Sequence, residues 1–249
     1  MKFERTWTGN WENAFRGLRH PMESYAKSDS NFGFCEAFDE EEDVVINSDN
    51  NIFEVASIGP NDLDLAQRMI KAGTPNDKFL RQIPISVDIT APLYWWKEMD
   101  TYKVGTVANS TSTMHKLAST PINMDCFETD DYDKEFEILP ETELVEDDSY
   151  IIQMRYTIDD FTSGIIQDLE LLRQKYFETK DKRYWKELIR WLPEGWLQTR
   201  TWTANYAVLR NIIHWRQGHK LTEWQSFIDW CHTLPYAEEL LFYNNTKNS

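Results

Sequence analysis

The sequence predicts an α+β fold, and three observations carry that prediction. Residues 83–90 alternate apolar and polar side chains with the period of a strand. Several amphipathic stretches end at Gly or Pro, as helices do. The 249 residues are 41% apolar, with 11 Trp, 11 Tyr and 13 Phe, enough material for a core. No internal repeat and no Gly/Ser linker divides the chain. A single domain over 1–249 is therefore expected, with an acidic extension or insertion around 35–50.

Taken in order, WENAFRGLRH at 11–20 reads as a helix that Pro21 ends, because proline cannot continue the hydrogen-bonded ladder. The run FDEEEDVV at 38–45 reads as a solvated acidic segment. Asn61 and Asp62 then cap a helix through LDLAQRMIKA, which Gly73 and Thr74-Pro75 stop. In the strand that follows, Ile83, Ile85, Val87 and Ile89 alternate with Pro84, Ser86, Asp88 and Thr90. Ala91-Pro92 opens another helix, with Pro near its first turn. A second acidic stretch covers 128–149. Residues 149–193 read as two helices, and 199–216 and 221–231 as two more.

Charge and composition exclude several classes. A formal charge of −16 argues against a broad nucleic-acid surface, though one nucleotide needs only two or three convergent donors. No stretch approaches the roughly 18 apolar residues that span a bilayer. The first residues, MKFERTWTGNWENAF, lack the apolar core of a signal peptide. Cys35, Cys126 and Cys231 are odd in number and far apart, the pattern of reduced thiols in a cytoplasmic protein. There is no GxGxxG and no GxxxxGK[ST]. His214, His219 and Glu223 lack the HExxH spacing, and Gly218 interrupts the helix that would align them, so no metal is expected. Trp196, Trp202, Trp215, Trp224 and Trp230 read as core or subunit interface.

Two segments carry chemistry. The first, at 192–216, is LPEGWLQTRTWTANYAVLRNIIHWR. In a helix over 199–216, Asn205, Leu209 and Arg216 fall within about 40° of one line, and Asn211 points elsewhere. Amides and a guanidinium there can meet a heterocycle edge and a phosphate, or can cap a helix and bridge to an acid. The second, at 97–116, is KEMDTYKVGTVANSTSTMHK. Its hydroxyls and Asn109 supply neutral hydrogen bonds, while Lys103, His115 and Lys116 supply charge. It can embrace a phosphate or serve as a polar loop.

Together these segments resemble the flavin-dependent (alternative) thymidylate synthases. Leu192-Pro193, Thr199-Arg200, Trp202-Thr203, Asn205, Leu209, Asn211 and Arg216 fall where that family has the same residues. The family signature RHRxxSxNxxSxRY is only partly kept. Asn109 and Ser112 preserve its Asn-x-x-Ser core; the Arg-His-Arg triplet corresponds to Thr101-Tyr102-Lys103 counted from Ala91-Pro92, or to Tyr102-Lys103-Val104 counted back from Asn109, and is lost either way, while Met114-His115 stands for the terminal Arg-Tyr. Arg19-His20-Pro21 looks like the lost triplet but precedes the elements that should introduce it.

The resemblance implies a central mixed or antiparallel sheet with flanking helices. It implies conversion of dUMP to dTMP with methylenetetrahydrofolate and reduced FAD, NADPH regenerating the flavin, in a homotetramer. Arg216 and Ser112 would be the catalytic residues, Arg216 polarising the pyrimidine carbonyl and Ser112 binding rather than attacking. Asn205, Asn211 and Lys103 would hold the cofactor. Asn109, Ser112, His115, Arg190 and Arg216 would hold the pyrimidine deoxynucleotide monophosphate, Arg190 lying one residue from a phosphate-binding Arg of the family pattern. Losing the triplet leaves a second reading open: a pyrimidine-nucleotide-binding homologue that has lost flavin chemistry or acts on another nucleotide.

Overall fold

A computed structural model describes residues 1–33, 52–53, 55–146 and 150–245; the acidic segment expected around 35–50, and Cys35, lie outside them. In chain order the elements begin with β1 (Lys2–Thr8), α1 (Trp11–Arg19), β2 (Asn31–Gly33), β3 (Ile52–Phe53), β4 (Val55–Ser57) and α2 (Pro60–Ala72). They continue with β5 (Pro84–Pro92), α3 (Leu93–Met99), β6 (Val107–Ser110), α4 (Thr113–Lys116), β7 (Glu137–Glu146) and β8 (Tyr150–Thr157). The last are α5 (Ile158–Thr179), α6 (Lys182–Arg190), β9 (Leu197–Asn205), α7 (Tyr206–Arg216) and α8 (Thr222–His232). They form two compact units. The first is Met1–Ala91, Trp95–Ser110 and Thr199–Ser249; the second is Pro92–Tyr94 and Thr111–Gln198.

The first unit is built on a sheet of order β3-β1-β5-β9-β6. β1 runs parallel to β3 and antiparallel to β5, and β6 runs antiparallel to β9. The strand expected at 83–90 is the centre of this sheet. Ile85, Val87 and Ile89 are buried on one face, and Ser86, Asp88 and Thr90 stand on the other. That second face is stitched to β9: Ser86 to Thr203 at 3.1 Å, Asp88 to Thr201 at 2.5 Å, Thr90 to Thr199 at 2.7 Å. The reversed order of the partners marks an antiparallel pair.

Helix α1 buries Trp11, Ala14 and Phe15, the i, i+3, i+4 face of its sequence. Trp11 meets Tyr206 edge-on at 5.2 Å, and a second aromatic group joins Trp95, Trp224 and Phe227. Helix α2 starts three residues earlier than its sequence suggests. Gly59 is its cap and Pro60 its first residue, where a missing N–H costs nothing. Asp62, expected as a cap, is fully buried instead and accepts from Arg19 Nε at 2.5 Å, Ser28 at 2.7 Å and Ser30 at 2.6 Å. Burial acts to raise its carboxyl pKa, but the hydrogen bonds from Ser30, Ser28 and Arg19 and the Arg19 charge hold it below the usual value. Arg19 is thereby a core ion-pair partner, which explains why the triplet look-alike is structural.

Two segments differ in secondary structure from what their sequence suggests. Residues 199–216 are not one helix: 197–205 form β9 and only 206–216 form α7. The alternation of Thr199, Thr201 and Thr203 with buried Trp202 and Ala204 has strand period, and pairing to β5 and β6 fixes it. Likewise the helical run expected from 149 onward begins as strand β8, paired antiparallel to β7 from Glu146↔Tyr150 to Glu137↔Thr157.

In the second unit, Thr157 ends β8 and starts α5 through a reciprocal cap with Asp160. Helices α5 and α6 bury Leu169 and Leu188 against Leu117, Ile122 and Phe127. Glu170 ties the preceding loop to α5, accepting from Ile122 N–H at 2.8 Å and from both ends of the Arg173 fork at 2.6 and 2.7 Å. Those Arg173 bonds, against the burial that would raise it, bring the Glu170 carboxyl down to about 2.

Candidate functional site

The first unit contains a cavity of about 460 Å³, within the usual range for small-ligand sites. Its polar wall is Arg81, Tyr102, Lys103, Gly105, Asn205 and Asn211. Among the described residues no Asp or Glu lines it. Three of the residues assigned to cofactor binding on sequence grounds, Lys103, Asn205 and Asn211, are thus brought to one place.

The junction of β9 and α7 sets the amides. Asn205 is the last residue of the strand and the cap of the helix, so its Oδ1 accepts from Val208 N–H at 3.1 Å. That bond turns its Nδ2 toward the loop bearing Gly105. A Cβ on Gly105 would stand 3.4 Å from Asn205 Nδ2 and 3.3 Å from Val208 Cγ2, and the residue has φ +76°. Glycine there gives both the left-handed backbone and the space. Asn211 shares the helix face of Ala207 and Val208 by i,i+4 and i,i+3 spacing, and its exposed amide has no side-chain hydrogen bond among the described residues. So Asn205 reaches the cavity as a cap rather than as a position on the helical line.

Arg81 was not among the residues singled out from sequence. It sits in the 3-10 turn Asn76–Gln82, just before β5. Ile83 O accepts from Tyr206 N–H at 3.1 Å, which docks the first turn of α7 against the segment that carries Arg81. The only signal in the sequence is a basic residue two places ahead of a central strand, which is too common to be informative.

Arg216 ends α7. Its Nη1 donates to Glu98 Oε2 at 2.6 Å, its Nε donates to Tyr102 Oη at 2.9 Å, and its guanidinium lies 4.4 Å from the Trp224 ring. Glu98 also accepts from Trp224 Nε1 at 2.9 Å, and His219 Nε2 lies 3.7 Å away. Arg216 Nη2 has no hydrogen-bond partner among the described residues. Tyr102 joins the two regions, because it lines the cavity and holds Arg216 at once. The loop presenting it is closed by Thr106 Oγ1 donating to Tyr102 O at 2.6 Å. Asn109 lies on β6 opposite Thr201, exposed.

Ser112, His115 and Arg190 belong to the second unit. Ser112 caps α4, accepting from His115 N–H at 3.1 Å, with His115 Nδ1 at 2.8 Å from the same hydroxyl oxygen. Arg190 Nη1 is turned into an ion pair with Glu187 on its own helix. A larger hollow of about 560 Å³ in this unit is walled by Ile165, Leu169, Leu172, Trp191 and Pro193. Among the described residues its charged groups are Asp168 and Lys175, and Lys175 is bridged to Glu178, so these offer little to orient a nucleotide. Among the described residues no three His, Cys, Asp or Glu side chains gather as a metal site, and no helix is long and apolar enough to cross a membrane. Cys126 and Cys231 are free thiols, Cys231 fully buried.

By sequence the chain matches no protein-family model and no curated protein. By structure it is similar to the flavin-dependent thymidylate synthase ThyX from Helicobacter pylori complexed with FAD and dUMP, with a TM-score of 0.61 and 17% identity over 99% of this chain and 100% of that one. A second structure of the Helicobacter pylori ThyX, with FAD and dUMP, gives a TM-score of 0.61 and 16% identity over 100% of both chains. The α+β fold with its central mixed sheet is the fold of those enzymes.

Proposed function

We propose that this protein is a flavin-dependent thymidylate synthase-type enzyme, methylating dUMP with methylenetetrahydrofolate and NADPH as cosubstrates. We further propose that it works in the cytoplasm as a homotetramer. The observation that carries the reading is the convergence of Lys103, Asn205 and Asn211, chosen from two sequence segments, on one cavity that no Asp or Glu of the described residues lines, in a chain with this fold.

The donor set suits a flavin. Two carboxamides can each give and accept a hydrogen bond along the edge of a planar heterocycle. The Gly105 cradle, which a Cβ would fill, lets a ring lie close against the loop. Lys103 adds a cation for an anionic portion of the ligand. The chemistry a bound reduced flavin supplies is hydride delivery, the two electrons that turn a transferred methylene into a methyl group.

Arg216 is the residue assigned to the pyrimidine. Glu98 and Tyr102 fix its guanidinium through Nη1 and Nε, leaving Nη2 as an oriented donor for a ring carbonyl. A fixed donor stabilises negative charge developing on that carbonyl without reorganising as it forms. Asn109, Ser112, His115 and Arg190 complete the substrate-binding assignment. Ser112 orients through its hydroxyl and is not the attacking nucleophile.

The test is a visible spectrum of the purified protein with and without FAD, paired with tritium release from dUMP labelled at C5. Flavin bands that shift on binding, with tritium release dependent on methylenetetrahydrofolate, are expected. A colourless protein that neither retains FAD nor releases tritium overturns the reading. Thr101-Tyr102-Lys103 in place of two guanidinium groups favours one second reading, a pyrimidine-nucleotide-binding homologue without flavin chemistry. It predicts dUMP binding with no flavin bands.

A further inference from the structure

Arg81 is exposed on the wall of the cavity and has no hydrogen-bond or ion-pair partner among the described residues; Lys103, on the same cavity, is in the same state. Most other arginines of the chain are engaged: Arg19 with Asp62, Arg173 with Glu170, Arg190 with Glu187, Arg200 with Asp100 and Arg216 with Glu98. In a chain of net charge −16, two such cations on one concave surface, with no carboxylate lining it among the described residues, are a local reversal of sign.

We infer that Arg81 and Lys103 form a phosphoryl-binding subsite on this cavity, with Arg81 supplying a guanidinium that the Thr101-Tyr102-Lys103 segment lacks. The subsite deepens the nucleotide reading above and rests on it for the identity of the natural ligand. Its chemistry is that of a phosphate monoester or a pyrophosphate. Arg81 presents a planar fork that can take two oxygens at once, and Lys103 adds a mobile point charge. Both side chains are exposed, so the site is salt-sensitive.

Calorimetric titration with inorganic pyrophosphate, on the full chain and on the Arg81→Gln and Lys103→Gln variants, tests the subsite directly. Binding to the wild type that weakens about 10-fold or more in Arg81→Gln, less in Lys103→Gln, and with added salt is expected. Arg81→Lys should recover part of the loss, because charge returns without the fork. Two ligand pairs then identify the source. If FAD but not riboflavin weakens in Arg81→Gln, the subsite takes the dinucleotide pyrophosphate; if dUMP but not deoxyuridine weakens, it takes the monoester. Either result supports the subsite. FAD, dUMP and pyrophosphate affinities that are equal in wild type and Arg81→Gln overturn it while leaving the synthase reading standing. Pyrophosphate binding that needs Arg81, in a protein that binds neither FAD nor dUMP, supports the subsite and overturns the synthase reading. A wild-type protein that binds no phosphorylated ligand overturns both.

Discussion

Arg216 and Arg81 are both guanidinium groups of the first unit, and their surroundings are opposite. Arg216 is 16% exposed, bonded to Glu98 and Tyr102 and stacked on Trp224. Arg81 stands on a cavity wall with no partner among the described residues. The difference separates two uses of a cation. A paired, largely buried guanidinium is a fixed group whose remaining N–H is aimed, at the cost of dependence on its acid. An unpaired, exposed one has no acid on which its position depends, and all its donors remain open to a ligand. Arg19, with Asp62, is the extreme of the first kind, since both side chains are almost wholly buried.

The sharpest way to break that contrast is Asp62→Ala. It leaves Arg19 buried and uncompensated, and urea unfolding should show a loss of about 3–5 kcal/mol. A loss below about 1 kcal/mol would mean that pairing does not distinguish these cations energetically. Acid titration probes the next largest effect, at Glu170. Its carboxyl pKa is depressed to about 2 when folded, so the stability it contributes is complete above the unfolded value near 4.3 and is lost as pH falls toward 2. Unfolding followed by circular dichroism should show a pH-dependent loss of about 2–3 kcal/mol over that window, and Glu170→Gln should remove most of it.

Glu98→Ala comes third. It removes the acceptor for Arg216 Nη1 and Trp224 Nε1, and a cost of about 1–2 kcal/mol in thermal or urea unfolding is expected. The smallest effect is the most telling: Arg81→Gln should leave stability within about 0.5 kcal/mol of wild type. An Arg81→Gln protein that unfolds as readily as Glu98→Ala would show Arg81 to be structural and collapse the distinction.

How much of this was legible in the sequence varies by element. The alternation at 83–90 and the i, i+3, i+4 face of 11–19 are local patterns, and both became the elements they indicated. Residues 199–205 carry an equally clear alternation of Thr with Trp202 and Ala204, yet adjoin a real helix without a Gly or Pro between them. Asn205, capping α7, is the boundary marker. Asn is ambiguous there, because it serves as readily inside a helical line as at a cap. Residues 150–157 were ambiguous for another reason: a short apolar run suits either element until its neighbour is known, and β7 decides it.

The site divides in the same way. The motif containing Asn205, Asn211 and Arg216 identified side chains that the fold does bring to one region, with Tyr102 linking cavity and guanidinium. Nothing in that motif indicated Glu98 as the acid of Arg216, 118 positions away, because hydrogen bonds at such separation leave no local pattern. Arg81 was silent for the same reason.

By itself, then, the sequence determined the strand at the centre of the sheet, the helices with clean stops, the net negative charge and the amide–guanidinium motif. These depend on periodicity, capping and composition, which act over a few residues. Only the tertiary structure decided that Asn205 is a cap facing Gly105, that Arg216 is held while Arg81 is not, and that Asp62 is core rather than cap. Those outcomes depend on which groups are desolvated together, and desolvation is set by contacts between segments far apart in the chain.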